Sequence, residues 1–582
     1  MAGREHRAPG VYTERSKNRY SPILLGETGV PAFMGMTFRG PLDVPVRVDS
    51  FDEYKKLFGS PVSGSYLSDS IFGFFANGGQ HCFVIRVAHK RGAKGKIATA
   101  ASRQFKDEEG RSVLEVRAAN EGEWGNQIKV TIEKPLDVTQ TYLTFDMEKG
   151  STEAVVKSAR GFERGDLVRV YNKNAEYFAV LERVESKTLR FRDEDAIEEM
   201  LRSADLTYIE PISIDMTVTY LGETEVYRDL SPYPLADRFP ERYVNEQSGL
   251  IQVSVSEDGR SMMERLPATV TDQELGGGAD GIDGITPEDF IGSNEGPAHR
   301  VGLAALEANE EIDLVVVPDL MVCGEQGEGF NGSVDIEKVQ QAVIAHCELM
   351  KDRFAILDVP SGLEIDEAVS WRLRFDSHFG AFYYPWIAVS GRKGNRLVPP
   401  AGHIAGVYSR CDRNNGVHQA AANEVIQGAV FLERSFEDEE IGYLNDHQLN
   451  PIRVLQSRGI RIWGARTVSS RKEWRYVPVR RVFNAVRRAI YLNTQWVVFE
   501  TNSPKLWDKL RRQLNYFLDG LFKEGYFAGS KAEQGYYVKC DAETNPDERR
   551  EAGQLMTEIG LAPVRPAEFI TFTLEQQLPG AR

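Results

Sequence analysis

The sequence predicts a multidomain protein of mixed α/β and α+β class: an α/β layer, a β-rich inserted domain, a C-terminal α+β domain and an extended arm at each end. Three observations predict it. The chain has 582 residues with 41% apolar content, more than one hydrophobic core absorbs. Residues 91–270 read as successive short runs of β-branched and aromatic residues, whereas strand and helix patterns alternate from Pro287 onward. Near both ends the pattern thins to short alternating stretches in polar surroundings. The expected limits are 1–20 and 567–582 for the arms, 21–90 with 285–398 for the α/β layer, 91–284 for the insertion and 399–566 for the C-terminal domain.

The first twenty residues hold five basic and two acidic side chains and one short strand candidate, "GVYTE". They have too few apolar residues to form a core of their own. Next, "FDEYKKLFG" (51–59) and "YLSDSIFGFFANGG" (66–79) read as helices, the second ended by glycine, and "HCFVIRVA" (81–88) as a strand. Within the insertion, "SIDMTVTY" alternates so that Ile214, Met216, Val218 and Tyr220 share one face. That period of two predicts half-buried antiparallel strands. "LGGGADGIDG" (275–284) reads as a flexible connection.

The α/β rhythm then sets in. "IDLVVVPD" (312–319), "FAILDVP" (354–360) and "AFYYPWIAV" (381–389) read as buried strands. Between them "VDIEKVQQAVIAHCELMKD" (334–352) places Ile336, Val339, Val343, Cys347 and Met350 at helical spacing, and "EAVSWRLRF" reads as a second helix. Repeats of this length imply parallel pairing with right-handed crossovers. Toward the C-terminus, 477–493 reads as a helix with Val482, Val486 and Ile490 inward and the pairs Arg480–Arg481 and Arg487–Arg488 outward. The helix over 503–525 has Ser503 at the N-cap position and Pro504 at the first turn. Leu506, Leu510, Leu514, Phe517 and Leu521 form its apolar stripe, with Lys505, Lys509 and Arg512 as a basic stripe alongside. "EFITFTL" near the end reads as one strand with Ile570, Phe572 and Leu574 on one face.

Composition narrows the functional classes. Apolar runs are far shorter than a membrane span, and "MAGREHRAPG" lacks the apolar core of a signal peptide. Five scattered cysteines without a CxxC pair predict reduced thiols. The net charge of −16 is uneven: residues 451–512 carry fifteen Lys/Arg against three acids. Residues 451–582 together carry 22 basic and 14 acidic side chains, which leaves residues 1–450 at −24. A basic region on an acidic protein is suited to an anionic partner.

The clearest candidate for chemistry is "PPAGHIAGVYSRCDRNNGVHQAAANE" (399–424), which brings His403, Cys411, Asp412 and His418 close in sequence. Single-segment zinc sites use tighter ligand pairs than these separations of seven and six residues. On a helix, residues 403 and 411 share a face but sit about 12 Å apart along the axis. Packing is therefore expected for the His and Cys, and a turn for "DRNNG". The glycines of "CGEQGEGFNG" are in the wrong order for a phosphate loop. Asp280 and Asp283 lack calcium-loop spacing. His346–Cys347 reads as a packed pair, and Asp376 with His378 as a surface or packing pair. No HExxH, GxSxG or Walker motif occurs. No catalytic residue, metal or cofactor is expected.

Specific motifs then point to a family. "LNPIRVLQSRGIRIWGARTVSSRKEWRYVPVRRVFNAVRRAIYLNTQWVVFETNSPKLWDKLRRQLNYFLDGLFKEGYFAG" and "GYYVKCDAETNP" resemble the contractile tail sheath family of phages and extracellular contractile injection systems. "APGVYTER", "FAILDVP" and "VPPAGHIAGVYSRCD" match further landmarks, so the resemblance covers roughly 1–90 and 275–582. It implies a non-enzymatic subunit that polymerises helically around an inner tube and contracts to drive the tube through a target envelope. It implies arms that add strands to neighbouring subunits through Val11 and Tyr12, and through Ile570, Phe572 and Leu574. It also implies a C-terminal domain facing a tube with an acidic surface, touched by Lys505, Lys509 and Arg512 or by Arg480, Arg481, Arg487 and Arg488. Baseplate and terminator or cap proteins are the other implied partners. Assembly in the bacterial cytoplasm is implied, with no nucleic acid bound and no membrane insertion. The competing classes are a nucleotide- or metal-dependent hydrolase on the α/β layer and a nucleic-acid-binding protein using 451–512.

Overall fold

A computed structural model of the chain describes residues 22–90, 97–135, 139–256, 266–297, 299–326, 329–391 and 394–568. Val11, Tyr12, Ile570, Phe572 and Leu574, expected in the arms, lie outside these residues.

An eight-stranded sheet forms the centre. Its spatial order is Val46–Val48, Cys82–Arg86, Pro31–Gly35, Leu314–Val316, Phe354–Asp358, Gly380–Tyr384, Leu449–Leu455 and Gly459–Ile462. The six inner strands pair in parallel, and each edge strand is antiparallel to its neighbour. The side chains alternate between two cores. Ala32, Met34, Val315, Ala355 and Phe382 face one, Phe33, Leu314, Val316, Ile356 and Tyr383 the other. Helices Gly332–Met350 and Ile365–Arg372 cover the first face. Phe51–Phe58, Leu67–Ala76 and Ala401–Asn415 cover the second. This is a doubly wound layer, whose inner strands are mostly apolar because both faces are buried.

Two expectations are corrected here. The α/β layer does not end at residue 398. The helix Ala401–Asn415 is buried in its second core, and the chain returns at Leu449–Leu455 to pair with Gly380–Tyr384. "AFYYPWIAV" is not one strand either. It breaks at Pro385 into Gly380–Tyr384 in the main sheet and Ile387–Gly391 in a three-stranded side sheet. A proline has no N–H to give to a central ladder.

The insertion is antiparallel, as the alternation predicts: Ile214, Met216, Val218 and Tyr220 are all buried. It is two modules, one nested in the other. The first joins the four-stranded sheet around Lys129–Glu133 and Ile214–Tyr220 to the three-stranded sheet around Ser112–Ala118 over one core. The nested module, within 139–212, is a six-stranded sheet with its own core of Val168, Val170, Leu181, Leu189, Phe191 and Ile209. Lys134 and Pro135 on the way out and Pro211 and Ile212 on the way back line one cleft.

"LGGGADGIDG" is a built connection, not a flexible one. Gly276 and Ala279 bridge to Ser102 and Thr99, and the Asp280 carboxylate accepts the Glu123 N–H at 2.7 Å. Gly278 lies so close to the Gly122 carbonyl that a β-carbon there would sit 2.4 Å from its oxygen. Only glycine permits that approach.

Replacing residues 139–211 with a short glycine-serine link is expected to leave the remaining protein folded, because each module closes its own core. Thermal unfolding followed by circular dichroism checks this. A destabilised or aggregated remainder would contradict the nesting.

Candidate functional site at the C-terminal helices

The C-terminal third is built on helices Val477–Asn493 and Pro504–Lys523. Pro478 and Pro504 occupy their first turns, where a missing N–H costs nothing. The predicted stripe Leu506, Leu510, Leu514, Phe517 and Leu521 is buried. It packs with Val482, Val486 and Ala489, and with Ile23 and Val417 from earlier in the chain. Each buried Leu, Val, Ile or Phe among them contributes about 1.5–3 kcal/mol. Beyond them, Tyr536–Lys539 and Glu558–Leu561 form a two-stranded sheet.

The arginines of the first helix do not point outward as expected. Only Arg487 is exposed, and it donates to the Met350 carbonyl at 2.6 Å. Arg480 lies over the rings of Trp474 and Phe379, 4.5 and 4.7 Å from their centroids, and burial pulls it down to about 10. Arg488 donates to the carbonyls of Glu311 and Glu27. Arg481 is 4% exposed. It donates to both Asp412 carboxylate oxygens at 2.9 and 2.5 Å and to Asp313 at 3.2 Å. Its guanidinium also lies 4.8 Å from the Tyr408 ring centroid. The flanking carboxylates hold it charged by raising its affinity for protons, against the opposing effect of burial. Asp313 in turn accepts the N–H groups of Gly29 and Val30 at 2.9 and 2.6 Å. The arginines share one side of the helix, and that side meets Asp412, Asp313 and the carbonyls of Glu311 and Glu27 instead of water.

On the second helix, Lys505 and Arg512 are exposed. Lys509 is half-buried, with its ammonium 4.4 Å from the Trp496 ring centroid. Spacings of four and three residues put all three on one face.

The stretch 399–424 is interior structure. His403 is buried against Gly73, burial pulls its imidazole down to about 4, and it is therefore neutral. Burial raises the Cys411 thiol, the opposite of what a nucleophile needs. The His418 ring lies 4.1 Å from that of Tyr526, centroid to centroid. "DRNNG" is not a separate turn: the helix continues through Asn415, and Gly416 ends it at φ 89°. His346 and Cys347 are buried; Arg353 lies 3.0 Å from the His346 ring. Asp376 accepts from Ser470, and His378 stacks on Trp474. Among the described residues no group of three or more His, Cys, Asp or Glu could hold a metal ion.

In doubly wound folds ligands settle beyond the carboxyl ends of the strands. Here carboxylates that serve the backbone fill that place. Asp319 accepts from the backbone of Met36, Tyr66 and Leu67 and from the Ser65 hydroxyl. Asp358 caps the helix at Ala401 at 2.9 Å. Burial raises them to about 6 and about 7. Sequence reading missed both, although an Asp directly after an apolar strand run was the available sign.

Glu568 is the last described residue. It accepts from Arg466 at 2.9 and 2.5 Å and from the Tyr476 hydroxyl at 3.2 Å.

The fold is similar to that of solved tail sheath structures. The helical sheath of the anti-feeding prophage in its contracted state aligns with a TM-score of 0.52 at 20% identity, over 98% of this chain and 100% of that one. The sheath complex of PVC, an extracellular contractile injection system, in its contracted state aligns at 0.51 and 19%, over 99% of both chains. The models of the phage tail sheath protein central domain and C-terminal domain match residues 292–468 and 469–577. Residues 292–577 belong to the phage tail sheath family. The chain is 24% identical over 319 residues to the tail sheath protein of Burkholderia phage BcepMu, which is 50% of this chain and 62% of that relative's length.

Replacing Arg481 with Met is expected to cost about 3–5 kcal/mol, because it leaves two buried carboxylates without their cation. Urea unfolding monitored by tryptophan fluorescence measures it. A change below about 1 kcal/mol would show that the cluster does not carry the junction.

Proposed function

We propose that this protein is the structural subunit of a contractile sheath, which polymerises helically around an inner tube and contracts to drive that tube through a target envelope. The observation that carries the reading is the likeness, over nearly the whole chain, to sheath subunits of contractile injection systems, joined to the family matches over 292–577. The subunit works without catalysis, nucleotide or metal. The work comes from a free-energy difference between an extended and a contracted lattice, held back by a kinetic barrier.

Neighbours are linked by the terminal arms. The Tyr536–Lys539 and Glu558–Leu561 sheet is the acceptor this reading favours. A two-stranded sheet is marginal alone, and among the described residues no further strand pairs with either edge. Added strands would satisfy those edges by β-augmentation, and a head-to-tail contact propagates a helix instead of closing a pair. The tube contact falls to Lys505, Lys509 and Arg512, with Arg487 as the remaining exposed arginine of the first helix. Exposed ion pairs of about 0–1 kcal/mol each suit a contact that must let go. The baseplate and a terminal cap protein are the other partners. The particle is a phage tail or a released injection device, assembled in the bacterial cytoplasm.

Negative-stain microscopy of the purified protein tests the reading: striated tubes are expected, and compact particles that hydrolyse ATP would overturn it. Deleting 1–20 or 569–582, which keeps Glu568 on Arg466, is expected to abolish tubes while circular dichroism stays that of the parent. Normal tubes from either truncation would remove that arm as a link. Reversing Lys505, Lys509 and Arg512 to Glu is expected to abolish co-sedimentation with inner tubes. Unchanged co-sedimentation would move the contact elsewhere.

A further inference from the structure

The loop between the two C-terminal helices contains a conflict between sequence and backbone. Val498, at φ −64° and ψ 130°, is followed by Phe499 at φ 68°, and the Glu500 N–H donates to the Val497 carbonyl at 3.1 Å. This is a type II turn with Phe499 at its third position, where the left-handed backbone calls for glycine or asparagine. A phenylalanine there is strained. Among the described residues nothing covers it: Phe499 has a relative exposure of 103%, and Val498 beside it is 56% exposed.

The turn is nonetheless firmly built. A 3-10 turn at Gln495–Val497 precedes it, closed by the Val498 N–H donating to the Gln495 carbonyl at 3.1 Å. Lys509 lies over the Trp496 ring, which fastens the loop to the basic stripe. On the far side the Asn502 side chain donates to the Gln554 carbonyl at 2.9 Å and accepts from the Trp507 indole at 2.7 Å. A firmly bonded turn thus presents two apolar side chains to the outside, and Lys509 of the basic stripe lies over the Trp496 ring of the same loop. A strained, fully exposed aromatic residue on a rigid turn is what an interface anchor looks like before its partner arrives.

We infer that Phe499, with Val498, is an apolar anchor that inserts into an acid-rimmed apolar pocket on the inner-tube subunit. The inference rests on the proposed tube contact of Lys505, Lys509 and Arg512. Those cations specify the acidic rim, and the anchor supplies register and residence that screened charges alone do not.

The test is co-sedimentation of the full-length protein with polymerised inner tubes purified from the same particle, using parent, Phe499→Asn, Phe499→Leu and the triple Glu reversal. Phe499→Asn suits the turn, so its melting temperature is expected to equal or exceed the parent's and its tube-free polymerisation to be normal. Its tube binding is expected to fall at least about tenfold, with Phe499→Leu restoring most of it. Parent-like tube binding by Phe499→Asn, alongside loss in the triple reversal, overturns the anchor and leaves the basic tube contact standing. Parent-like binding by the triple reversal overturns the tube contact itself, and the anchor with it. If Phe499→Asn instead stops tube-free polymerisation, the occupant is a second copy of this chain, and the tube assignment is overturned.

Discussion

A single buried cation ties this protein together. Arg481, on the first C-terminal helix, reaches Asp412 on the helix beneath the sheet and Asp313 at the start of a central strand. Asp313 also holds the backbone of Gly29 and Val30, which lead into another central strand. Four distant parts of the chain therefore meet at one guanidinium. Taking an ion out of water costs several kcal/mol, recovered only while its partners stay in place. The C-terminal helices cannot swing away from the α/β layer without exposing that cost.

The surrounding contacts act in the same direction. Arg480, Arg488 and Asn484 bond or stack across the same junction, the last donating to the Arg353 carbonyl at 3.0 Å. Ile23 and Val417 complete the apolar core between the C-terminal helices. A subunit so welded suits a lattice that changes by moving whole subunits.

Much of this was legible in the sequence. The periodicity located both C-terminal helices, the alternation of Ile214–Tyr220 and the strands at 314 and 354, because a buried face writes its period into the chain. What stayed hidden depends on contacts between distant segments. No local pattern tells that residues 449–455 rejoin a sheet begun at residue 31, or that the insertion divides into two cores. The burial of the arginine pairs is hidden for the same reason: they occupy the polar side of an amphipathic helix, and their partners Asp412, Asp313, Glu311 and Glu27 are distant in sequence. The basic stripe of the second helix was legible because its apolar residues keep to one side. The misfit of Phe499 was invisible until the backbone angle was known, since a phenylalanine in a loop is unremarkable by composition.

The most direct measurement is a pair of cryo-EM reconstructions of the assembled sheath, before and after contraction. The account predicts that the eight-stranded sheet and both C-terminal helices superpose as one rigid body in the two lattices, with Arg481 on Asp412 and Asp313 in each, while contacts between subunits change. C-terminal helices that rotate against the sheet, with Arg481 withdrawn from Asp412, would contradict it.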